Sequence, residues 1–167
     1  MRSFDQFRRA VIDEVTATVK EASGTPPMHF LVESPHGDLE PVGPIWRNEA
    51  EKRNAPAVMK RFIHKNRPDQ IAVVMEAFSV GQPTEADLSI RPSENPRRRH
   101  FVTVWLFRRG DPNSEVWDAD VLKDQDGHVY LGEWRVMDAM HQPSGALFDP
   151  VLEAMNEKAF SWRRLLG

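Results

Sequence analysis

"QIAVVMEAFSV" (residues 70–80) and "HFVTVWLFRR" (residues 100–109) decide the fold class. The first is nearly all apolar and rich in β-branched residues, the composition of a central strand covered on both faces. The second reads as another strand beyond a long connection. "GDP" (110–112) then makes a tight turn into "SEVWDADVLK" (114–123), which alternates Glu115, Trp117, Ala119 and Val121 against Val116, Asp118 and Asp120. "DQDG" (124–127) is a hairpin signal, and "HVYLGEWRVM" (128–137) reads as the last strand. Four successive strands joined in this way predict an antiparallel meander.

Toward the N-terminus, "MHFLVE" (28–33) and "LEPVGPI" (39–45) flank the turn-rich "SPHGD" and predict a hairpin. Pro41 and Pro44 confine its second strand to a sheet edge, because proline cannot donate to a ladder. Three segments carry helical periodicity. In residues 3–22, Phe4, Phe7, Val11, Val15 and Val19 recur at steps of three and four, Ser3 and Gln6 form a capping-box pattern, and Gly24 with Pro26–Pro27 ends the run. In residues 54–66, Asn54 is placed to cap, Pro56 falls in the first turn, and Val58, Met59, Phe62 and Ile63 form the apolar stripe. "DPVLEAMNEKAFSWRRLL" (149–166) predicts a third helix, with Asp149 as cap and Pro150 first in the helix. Its Trp162, Leu165 and Leu166 are expected on the core or on a dimer face. The order predicts one α+β domain over 1–167: an antiparallel β-sheet, a four-strand meander plus an N-terminal hairpin, with three packed helices. A doubly wound nucleotide-binding fold is not expected, since no βαβ alternation is present.

Composition narrows the chemistry by exclusion. The chain has 167 residues, a formal charge of −3, five tryptophans and no cysteine. Lack of cysteine removes disulfides, thiolate nucleophiles and thiolate metal sites, and fits a cytoplasmic location. The net charge does not favour nucleic acid, so any such binding would be local. No apolar run is long enough for a membrane span, and the charged N-terminus does not read as a signal peptide. Phosphate-loop, dinucleotide, zinc-protease, nucleophile-elbow and calcium-loop motifs are not found, and neither a metal nor a cofactor is expected. The acidic residues of 118–127 read as strand plus turn, and no two histidines are placed to pair along a helix. His100 and His128 lie on different strands that are able to approach each other.

The connection 81–99, with prolines at 83, 92 and 96, is long for a compact domain. A strand ending "EAF" (76–78), followed by "RPSENPRR" (91–98) and a further apolar strand, resembles a group of uncharacterised proteins from bacteria and their phages. The likeness covers roughly the middle third of the chain and implies no activity or cofactor; Phe78 stands where that pattern often has tryptophan.

Three readings follow for the connection. As a clasp, Glu94 would pair with a loop arginine and Ser93 would hold a backbone amide. As a contact for a protein partner or second copy, it would present its own surface. As a phosphate-facing site, Arg91, Arg97, Arg98 and Arg99 would supply charge, although strand alternation sends Arg97 and Arg99 to one side and Arg98 to the other. Glu76, inside an apolar strand, is expected to be buried and paired, with an arginine of the loop as one candidate partner; as a catalytic acid or base it would draw on Ser93, Glu94 and His100. The leading expectation is a non-enzymatic binding or assembly protein, phage-related through the resemblance and a homodimer through a sheet edge or the terminal helix. The alternatives are a small enzyme built on Glu76, Glu94 and His100, and a nucleic-acid binder through Arg97–Arg99.

Overall fold

The computed structural model describes residues 2–34, 36–137 and 148–157. Its helices are α1 (Phe4–Ala22), α2 (Glu49–Lys52), α3 (Ala55–Asn66) and α4 (Asp149–Asn156). Its strands are β1 (His29–Glu33), β2 (Leu39–Val42), β3 (Gln70–Ser79), β4 (Arg99–Arg108), β5 (Ser114–Lys123), β6 (Val129–Leu131) and β7 (Arg135–Val136). The sheet runs β2-β1-β3-β4-β5-β6, with β7 also on β5, and every pairing is antiparallel. The fold is α+β, with the meander and hairpin expected from the sequence; the hairpin joins the meander through β1 and β3.

Several local expectations need correction. The last strand is split: Gly132 donates to the Asp120 carbonyl at 2.8 Å, and β6 and β7 pair with different parts of β5. The short α2 is an addition to the expected helices; it is capped by Asn48, whose Oδ1 accepts from the Glu51 amide. Val58, assigned to the apolar stripe of α3, is 48% exposed, and Ala55, Met59 and Ile63 carry the buried face. Asn54 holds the cap position of α3 but makes no side-chain cap bond. Asp149 is the first residue of α4, not its cap, and α4 ends at Asn156 where Glu157 turns extended. Trp162, Leu165 and Leu166 lie outside the described residues.

The period of two along the strands separates two cores. On one face Ala72, Val74, Val102, Val104, Leu106 and Ala119 meet Phe7, Val11, Val15 and Val19 of α1. On the other, Ile71, Val73, Trp105, Phe107 and Val116 meet Met59 and Ile63 of α3 and Val151 and Met155 of α4. Four-residue spacing puts one side of α1 wholly in its core, and its Ser3–Gln6 capping box is formed as expected. Each such buried side chain contributes about 1.5–3 kcal/mol relative to exposure.

β3 and β4 are in register from Gln70↔Arg108 to Ser79↔Arg99. β3 is fully buried over its first half and only half-buried from Met75 to Ser79, so the expected cover on both faces holds for one half of the strand. At the uncovered end, Glu76, Phe78 and His100 share the α1 face, while Arg99 and Phe101 share the other. The connection from β3 to β4 begins and ends there.

Candidate functional site

The connection is not structureless. It carries a 3₁₀ turn at Asp87–Ser89 and closes on a carboxylate. Thr84 donates to Asp87 Oδ2 through its backbone N–H at 2.8 Å and its hydroxyl at 2.7 Å. Asn95 Nδ2 donates to Asp87 Oδ1 at 2.7 Å, and Arg97 Nη1 donates to Oδ2 at 2.7 Å. Asn95 Oδ1 in turn accepts the Arg97 amide at 2.8 Å. Asn95 is 0% exposed inside a segment whose neighbours are exposed. These bonds favour the charged form of Asp87: its pKa falls from 3.8 to about 2, through Asn95 first, then Thr84.

The clasp therefore exists with other partners than those expected. Arg91, Ser93 and Glu94 are exposed, and among the described residues their side chains make no hydrogen bond or ion pair. Asp87 and Asn95 were missed as organising residues. "TEAD" and the Asn-Pro of 95–96 carry the signal, since Asp and Asn hold turns through their side chains and the residue before proline is extended.

The three successive arginines diverge. Arg97 serves the clasp. The Arg98 guanidinium lies 5.7 Å from the Phe78 ring centroid, and Phe78 stacks on His100 with centroids 4.6 Å apart. Arg99 crosses to the other face, where it donates to Asp118 at 2.9 and 3.1 Å and to Asp120 at 2.5 Å, and covers the Phe101 ring at 4.5 Å. Hydrogen bonding to Asp118 raises the Arg99 pKa above its ordinary value. Arg135 of β7 approaches the same two carboxylates, at 3.6 and 2.8 Å. No flat three-arginine patch forms, because Arg97 and Arg99 each face carboxylates of this chain.

Glu76 differs from expectation in both environment and partner. Its side chain is 37% exposed, and its Oε1 meets His100 Nε2 at 2.6 Å and the Thr25 hydroxyl at 2.8 Å, not an arginine. The expected burial fails because Glu76 falls in the half-buried stretch Met75–Ser79 of β3, which leaves the carboxylate at the rim of the core. Of the three proposed catalytic residues the structure brings Glu76 and His100 together and leaves Glu94 outside. Three clefts, beside Phe62 and Gln70, beside Val15 and Leu31, and beside Met75 and Phe148, are lined by other side chains.

His100 and His128 each face a carboxylate of their own, Glu76 and Asp124. The 124–128 hairpin turn gathers one ligand atom each from Asp124, Asp126 and His128 within 4.8 Å, all exposed. Asp124 Oδ1 accepts the Asp126 and His128 amides, each at 2.9 Å, which accounts for the grouping as turn chemistry. Among the described residues no helix is long and apolar enough to cross a membrane. No protein-family model, curated protein or solved structure matches the chain.

Proposed function

We propose that this protein acts as a binding or assembly protein, with the 81–98 loop as its contact surface. One observation carries the reading: the loop is closed at its base by Asp87, Asn95 and Arg97, yet its tip exposes apolar side chains, Leu88 at 75% and Ile90 at 40%. Exposed apolar groups on a loop that is already ordered are costly to leave in water and lose little entropy on association. The occupant is a second copy or another protein. The cytoplasmic, phage-related setting implied by the sequence belongs to the same proposal. The Glu76–His100 contact offers acid–base chemistry, but both side chains are about a third exposed at the rim of the core. The nucleic-acid reading loses two of its four arginines to Asp87, Asp118 and Asp120.

The test compares wild type with a Leu88→Asp/Ile90→Asp double variant. Sedimentation reads self-association, and affinity capture from cells reads other partners. The expected result is loss of an oligomer or of a specific partner at unchanged thermal stability. An unchanged oligomeric state together with an unchanged set of bound proteins would overturn the proposal.

A further inference from the structure

A separate cleft of about 490 Å³ opens at the opposite end of the sheet from the arginine loop, between the β1–β2 turn and the C-terminal end of α3. Its apolar wall is Val32, Val42 and Phe62, all of which pack on the α3 core without being fully buried. Around that wall stand more hydrogen-bond acceptors than the chain itself satisfies. Glu33 is answered by Arg2, whose backbone N–H and Nη1 reach its carboxylate at 3.1 Å. Glu40 and Asp69 also line the cleft, and among the described residues their side chains make no hydrogen bond or ion pair.

Gln70 is the decisive residue. It is 6% exposed and lines the same cleft, and its Oε1 is buried with no hydrogen-bond partner. An amide flip cannot cure this, because Nε2 donates to the Arg2 carbonyl at 2.8 Å and a flip would set two oxygens against each other. A buried acceptor without a donor is rare in a folded chain and calls for an explanation. Apolar walls with a few convergent polar groups are the usual construction of a small-molecule site. Here three of the unmet groups are acceptors, two of them carboxylates, and the Arg67 guanidinium, also without a side-chain bond among the described residues, is the cation of the lining.

We propose that this cleft binds a small organic cation: a primary ammonium group carried on an apolar body. The body lies against Val32, Val42 and Phe62. The ammonium donates to the Glu40 and Asp69 carboxylates, with the Gln70 amide oxygen as the acceptor at the inner end. The site is independent of the 81–98 loop.

The test titrates the full chain with 2-phenylethylamine, phenylacetate and phenylalanine, read by calorimetry and by amide chemical shifts. Submillimolar binding of the amine is expected, with shifts at Val32, Val42 and Phe62 and no binding of phenylacetate. Glu40→Gln and Asp69→Asn change exposed side chains that make no hydrogen bond or ion pair among the described residues. Each is expected to weaken the amine by roughly tenfold, the scale of one charge-assisted hydrogen bond. Asn95→Ala should leave that affinity unchanged, which separates this site from the loop. Failure of the amine to bind at millimolar concentration would overturn the proposal. So would equal binding of phenylacetate, tighter binding of phenylalanine than of the amine, or indifference to both carboxylate variants.

Discussion

Asn95 and Asp87, eight residues apart in the chain, are joined by a 2.7 Å hydrogen bond that closes the connection between the two central strands. Asn95 is the one fully buried residue of that connection, so its amide answers to the loop and not to solvent. Asn95→Ala removes that bond and leaves the Arg97 amide without its acceptor. A loss of about 1–3 kcal/mol of local stability is expected, the cost of unsatisfied buried polar groups. Hydrogen exchange over 84–98 and tryptic cleavage at Arg97 and Arg98 should both accelerate, while the sheet amides keep their protection.

The same clasp predicts acid sensitivity. Asp87 has its pKa lowered from 3.8 to about 2, so the folded loop prefers the charged form more than the open chain does. Its contribution is fully present above pH 4 and is lost as pH falls from about 4 through about 2. Loop amide shifts followed over that range should report the transition, and Asp87→Asn should abolish it.

Asp118 and Asp120 bind the same two arginines but differ in burial: their side chains are 6% and 35% exposed. Asp118→Ala strands the Arg99 guanidinium beside an emptied buried position and is expected to cost about 2–3 kcal/mol, the range for hydrogen bonds to charged groups. Asp120→Ala should cost under about 1 kcal/mol, as exposed pairs do. Urea denaturation of the two variants gives the comparison, and equal losses would refute the assigned roles.

Glu76→Gln should be mild. The carboxylate is more than a third exposed and keeps the Thr25 hydroxyl as a partner after the change. A loss under about 1 kcal/mol is expected in chemical denaturation. A loss of about 3–5 kcal/mol would instead mark the buried ion pair that the sequence suggests.

Phe7→Ala tests the α1 core. Phe7 is fully buried against the sheet, and a cavity there is expected to cost about 3–5 kcal/mol, enough to populate unfolded chain at physiological temperature.

Much of the architecture is a matter of local period and punctuation, and these are visible in the chain. The four-residue spacing of Phe7, Val11, Val15 and Val19 and the Ser3–Gln6 box define α1 without reference to anything distant. The apolar run 70–74, the proline-marked β2 and the Asp-Gly turn at 126–127 likewise carry the sheet class and its connections. What the chain leaves undecided is which polar group meets which. Glu76 reads as buried because its neighbours are apolar, but it falls in the half-buried end of β3, and only the β3–β4 register sets His100 close enough to accept it as partner. Arg97, Arg98 and Arg99 are alike in sequence and go to three different environments, because one closes the loop, one reaches the Phe78 ring from just before β4, and one meets Asp118 from the opposite face of the sheet. Hydrophobic burial depends on a periodic pattern that survives any single substitution. Hydrogen bonds and ion pairs depend on a few ångströms of separation between residues far apart in the chain, and those distances exist only after the sheet has formed.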